Sequence, residues 1–142
     1  MRDLHDNIGF AFLVEPATLA ADNTPAAVDL RGFDAACIAV EVGVGGITFT
    51  GTNKVEFVLT HSDDNVSYAA VAQADILGVT VATGGIVYAL TTAHAASTVT
   101  KMSYIGGKRY LKLLADFSGT HGTGTPMAAV AVLGNAAQRP VA

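Results

Sequence analysis

Short runs rich in valine, isoleucine, threonine and aromatic residues recur all along this chain, and each is closed by glycine, asparagine or aspartate. Runs of about five to eight residues suit strands and are too short for most helices. The pattern predicts strands over residues 9–15, 27–30, 35–42, 46–50, 54–61, 68–71, 78–83, 86–91, 98–105, 109–117 and 126–133, some of which are expected to fuse or to be loops. Between them stand Gly45 and Gly46, Gly51 to Asn53, Ser62 to Asn65, Gly84 and Gly85, Gly106 and Gly107, and the glycine-rich stretch 119–124. These supply turn chemistry, because glycine reaches positive φ and Asp and Asn side chains bond to their own backbone. Tight hairpins are expected at Gly84-Gly85 and Gly106-Gly107. Helix signals are weak: the alanines within 69–77 suffice for a short turn, and Ile76-Leu77 reads as an apolar plug stopped by Gly78,.

The chain has 142 residues, no internal repeat and no linker, so one domain is expected,. The expected fold is an all-β, single-domain antiparallel β-sandwich, jelly-roll-like or a related barrel, with little helix.

Strand faces say more than strand positions. Over 54–60, Val55, Phe57 and Leu59 share one face while Lys54, Glu56 and Thr60 share the other, the mark of a strand with one wet side. Over 35–42 both faces are apolar apart from Glu41: Ala36, Ile38, Val40 and Val42 oppose Ala35, Cys37 and Ala39. Over 126–133, Val130 and Val132 likewise oppose Met127, Ala129, Ala131 and Leu133. A two-sheet sandwich has only one interior, so such strands call for a second cover, either a loop of the chain or another protein surface. Composition favours the protein surface: charged residues make up 14% of the chain and hydrophobic ones 51%, with a mean hydropathy of +0.43, whereas roughly 25% charged is usual. The bland alternative is an ordinary surface of alanine, threonine and serine.

Several classes fall away. Disorder does not suit a chain with 16 valines and 15 threonines,, and no apolar run approaches the ~18 residues of a membrane span. A nucleic-acid groove needs a basic stripe, but 8 Lys and Arg stand against 12 Asp and Glu, for a net charge of −4, and only Lys108, Arg109 and Lys112 cluster. Asp3 and Asp6 occupy the region where a secretory signal is basic, so residence in a cytoplasm is expected. The lone Cys37 cannot form an internal disulfide,.

No motif points to catalysis, a metal or a cofactor. His5, His61, His94 and His121 are widely separated and lack metal-ligand spacing,. His61 precedes Ser62-Asp63-Asp64-Asn65, but neighbours on one turn do not reproduce a triad, and no GxSxG elbow exists,. The same cluster lacks the alternating ligands of a calcium loop and reads as a turn whose side chains satisfy backbone N–H groups. Gly43 to Gly46 and Gly106 to Arg109 resemble phosphate loops only superficially, since neither opens a helix. Cys37 lies between Ala36 and Ile38 and reads as an inert thiol. Without tryptophan, the aromatics form no stacking platform,.

Three stretches carry a resemblance. They are AVDLRGFD from Ala27, VLTHSDD from Val58, and GGKRYLK from Gly106, the last together with Gly124-Thr125-Pro126 and AVLGNA from Ala131. In these the chain resembles small proteins of the structural modules of tailed bacteriophages and prophages, in particular the head decoration or cement proteins on the capsid exterior. The resemblance implies a non-enzymatic virion protein that is made in the host cytoplasm. It further implies binding to the major capsid protein and self-association, often as trimers at three-fold positions, with no nucleic acid, membrane or cofactor as partner. Residues 1–8 and 136–142 lack strand alternation and are expected to act as extended arms or simply to fray. Candidate capsid or subunit contacts are Arg2, Asp3, His5 and Asp6 at one end and Arg139 and Pro140 at the other. The alternatives are a tail-tube or head–tail joining subunit and a carbohydrate-binding sandwich presenting loops such as 60–67.

Overall fold

A computed structural model describes residues 3–141. Ten strands follow one another: β1 (Gly9–Leu19), β2 (Val28–Asp29), β3 (Phe33–Val42), β4 (Lys54–Ser62), β5 (Ala69–Ala70), β6 (Ile76–Leu77), β7 (Ile86–Leu90), β8 (Thr98–Tyr104), β9 (Tyr110–Ser118) and β10 (Thr125–Ala136). They form two antiparallel sheets. Sheet A has the order β1-β10-β3-β8-β6, and sheet B the order β2-β9-β4-β5, with β7 also paired to β4. The all-β sandwich expected from the sequence is what forms.

The core lies between the sheets and is built by period-2 alternation. Ile38 and Val40 of β3, Phe57 and Leu59 of β4, and Leu111 and Leu113 of β9 are fully buried. Phe57 stacks on Tyr88 of β7 with ring centroids 5.7 Å apart. On β1 a bulge between Phe12 and Val14 turns both Leu13 and Val14 inward, an insertion that strands at a sheet edge often carry.

Two expected strands are loops. Residues 46–50 cross between the sheets: Gly46 N–H donates to Gly124 O at 2.7 Å, and Phe49 plugs the core without pairing. Residues 78–83 make one isolated bridge, Ala82 to Ile86. There the backbone is claimed by a side chain: Gln73 Nε2 donates to Val79 O at 3.1 Å, and Gln73 Oε1 accepts from Val81 N–H at 2.8 Å. Ile76-Leu77, read as a plug, is the short strand β6, preceded by a 3-10 turn over Gln73–Asp75. Gly84 and Gly85 form a tight turn with φ of 88° and 81°. Gly106 and Gly107 form no hairpin, because β8 and β9 lie in different sheets and this segment is the crossover between them.

A side-chain device also closes part of sheet B. Beyond β2, the free edge of β9 is met by Asn23, whose amide bonds Leu113 O at 3.2 Å and Ala115 N at 2.7 Å, and by Asp22, which accepts from Phe117 N–H at 2.8 Å. Covering an edge in this way removes a template for unwanted strand pairing.

Candidate functional site

The outer face of sheet A is the most unusual surface of the molecule. Register places Phe10, Val132, Cys37, Ser103 and Leu77 side by side in one row across all five strands. The next row is Phe12, Val130, Ala39 and Lys101, and a third holds Ala128, Glu41 and Val99. No described segment lies over it: Phe10 is 68% exposed, Val99 67%, Leu77 54% and Phe12 52%. On β3 and β10 themselves the outward residues Cys37, Ala39, Val130 and Val132 are half-buried between these flanking side chains, and Ala128 is buried. The largest apolar patch on a protein is often a site of protein contact.

The outer face of sheet B is its opposite. Lys54 pairs with Glu56 at 2.8 Å, and the Lys112 ammonium sits 4.3 Å from the centroid of the Tyr68 ring. This is the wet face that the alternation over 54–60 predicts.

Charge gathers at the end of the sandwich that holds both termini. Arg109 grips Asp29 through two bonds of 2.8 and 2.7 Å, and Lys108 pairs with Asp63. The Arg109 guanidinium holds the Asp29 carboxyl down to about 2. In the β4–β5 turn, Asp64 accepts N–H groups of Ser67 at 2.8 Å and Val66 at 2.9 Å, and Ser62 Oγ donates to it at 2.8 Å. These bonds, that from Ser67 foremost, hold its carboxyl down to about 2. The Ser62-to-Asn65 cluster is therefore the backbone-satisfying turn expected from its residue types.

Five of the six terminal candidates fall into two groups at this end. His5 Nδ1 lies 2.6 Å from Asp6 Oδ1, a contact that raises the His5 pKa, and Asp3 accepts from the Asp6 N–H at 3.3 Å. The C-terminal segment reaches them, with Val141 N–H donating to Asp6 O at 3.1 Å. Arg139 and Pro140 are exposed beside it. Arg2 lies outside the described residues.

The remaining histidines are spread over the two ends. His61 Nδ1 lies 2.9 Å from the Tyr104 hydroxyl. His94 Nε2 lies 3.3 Å from Val42 O, and His121 is buried edge-on against Phe117 with its Nε2 on Ser118 O at 2.8 Å. Among the described residues no three His, Cys, Asp or Glu side chains converge as a metal site. No described helix is long and apolar enough to cross a membrane.

Reading the sequence singled out the termini and missed Phe10, Phe12, Leu77 and Val99. The i, i+2 spacing of Phe10 and Phe12 opposite Ala11 and Leu13 was the available signal.

No protein-family model and no curated protein matches the chain. Among solved structures it is similar to the crystal structure of SPBc2 prophage-derived protein YomS, over 89% of this chain and 92% of that one, with 12% identity and a TM-score of 0.49. A likeness of that size carries no argument about what the chain does.

Proposed function

We propose that this protein is a virion structural component that binds the outside of a phage capsid and cements the shell at subunit junctions. The observation that carries the reading is the uncovered apolar face of sheet A, a surface shaped to be buried against protein. The resemblance to decoration proteins in the three stretches named above supplies the setting. In this reading the chain acts without catalysis or cofactor, its partners are the major capsid protein and further copies of itself, and its place is the capsid exterior after synthesis in the host cytoplasm. The mechanism is mass action: a ligand that binds only the closed lattice stabilises it by an amount that grows with occupancy, and many copies per shell add up.

The test is co-sedimentation of the purified protein with empty capsids assembled from the major capsid protein of the same genome. The expected result is pelleting at a fixed ratio to the capsid protein that saturates. Absence of pelleting overturns the reading, and a hexameric ring in solution would transfer it to the tail-tube or joining class.

A further inference from the structure

We infer that His121 is a proton-operated latch: the loop end of the sandwich around it is held closed by the neutral imidazole and loosens when the ring takes a second proton. The latch belongs to the fold itself and holds whichever partner the outer face of sheet A meets.

The one hydrogen bond of the ring fixes where its proton sits. His121 Nε2 lies 2.8 Å from Ser118 O, and a carbonyl oxygen can only accept, so the neutral ring carries its proton on Nε2 and a lone pair on Nδ1. Nδ1 is buried without a hydrogen-bond partner among the described residues, and the whole residue is 3% exposed. Its surroundings are aromatic: the Phe117 ring stands edge-on with centroids 4.7 Å apart, and the Phe49 ring lies at 6.2 Å. A proton added at Nδ1 therefore creates a buried donor and a buried charge together, neither with a partner.

The charged groups on the elements packed around the ring do not supply one. On β9, Asp116 lies opposite Glu56 on the outer face of sheet B, and Ser118 lies opposite Lys54, which is bonded to Glu56. Asp22 is engaged by the Phe117 N–H at 2.8 Å. Across Phe49 stands His94, whose ring centroid is 6.4 Å from that of the phenyl and whose Nε2 lies 3.3 Å from Val42 O. Residues 43–50 and 119–124 carry no charged side chain, and β1 brings Thr18 and Leu19 to this end. Among the described residues, no carboxylate oxygen lies within 4.0 Å of either His121 nitrogen.

The ring is coupled to the loops through the backbone. His121 O accepts the Gly124 N–H at 2.8 Å, and Gly124 O accepts the Gly46 N–H at 2.7 Å. The residue that must leave its slot to be hydrated therefore anchors the bonds that join 43–50 to 119–124. Water reaches the protonated ring only where these loops part, so their opening grows as the pH falls through the imidazole range, about 8 to 5, and is suppressed above it.

The experiment is amide hydrogen exchange read by NMR on the full chain at about pH 8 and about pH 5, corrected for the intrinsic rate at each. Protection of the Gly46 and Gly124 amides is expected to fall at least about tenfold at the lower pH, the scale of one unsatisfied buried donor, while Ile38 and Val40 in the middle of sheet A hold theirs. His121→Gln keeps a side-chain donor for Ser118 O and cannot ionise, so it is expected to show the same protection at both pH values. Should that variant not fold, the NMR shift of the His121 ring nitrogens in the parent protein decides alone: Nδ1 is expected to gain its proton together with the loss of protection. Protection that does not change with pH, an equal fall in His121→Gln, or a protonated Nδ1 with both amides still protected overturns the inference.

Discussion

The hydroxyl of Tyr104, on sheet A, stands 2.9 Å from Nδ1 of His61, on sheet B, while accepting the Lys108 N–H at 3.0 Å. One buried oxygen thus ties the two sheets to the crossover between them. Tyr104 is buried, and burial raises its pKa, so the phenol remains neutral and keeps its proton available as a donor. Tyr104→Phe leaves the Lys108 N–H and the His61 ring nitrogen without this partner, at a cost of about 1–3 kcal/mol. Urea unfolding followed by circular dichroism checks this, with a lowered midpoint and an unchanged slope expected.

Acid stability should depend on Asp64. Its folded pKa of about 2 lies below the ordinary 3.8, so its contribution is fully present above about pH 4 and is lost as the pH falls towards 2. Asp64→Asn should lower stability at neutral pH and flatten the pH dependence between those limits. Thermal midpoints of both proteins measured from pH 6 to pH 2 supply the test, and parallel curves would contradict it.

Gly84 and Gly85 have similar positive φ values and different surroundings. A Cβ on Gly84 meets nothing within 4 Å, whereas one on Gly85 lies 2.8 Å from Leu59 O, an acceptor already engaged by Val71 N–H. Gly84→Ala should therefore cost about 1–2 kcal/mol, the conformational penalty alone. Gly85→Ala should cost more, because the turn must also move away from β4. Equal losses in denaturant titrations would show that the close approach is unimportant.

Removing residues 1–7 deletes the Val141–Asp6 bond and, among the described residues, no side chain of the core. The thermal midpoint should change by only a few degrees, while attachment to capsids in the co-sedimentation assay weakens. Equal loss of both would place the N-terminal segment in the fold rather than in attachment.

Alternation was the legible part of this protein. The faces of β3, β4 and β10 follow directly from their residue order, and the apolar character of both sides of β3 and β10 could be read there as well. What stayed hidden depends on partners distant in sequence. Gln73 takes the backbone groups of Val79 and Val81, and Asn23 takes those of Leu113 and Ala115. No local pattern reveals a side chain that stands in for a strand about 90 residues away. Gly106 and Gly107 have hairpin chemistry, yet the sheet each flanking strand joins is set by core packing across the whole chain, so the same residues serve a crossover. The exposed row through Cys37 combines five strands, and only the register brings Phe10 and Leu77 into line with it.

The place of β10 in sheet A bears on how the protein comes into being. This strand lies between β1 and β3 and is the last of the ten to leave the ribosome. Until it emerges, β1 has no sheet neighbour and the inward faces of β1 and β3 have no common layer, so the sandwich closes only after β10 has been synthesised. Such late, long-range closure makes for slow folding and leaves apolar strands waiting in the nascent chain. Chaperones, rather than co-translational docking, should therefore set the yield of this protein in the cell.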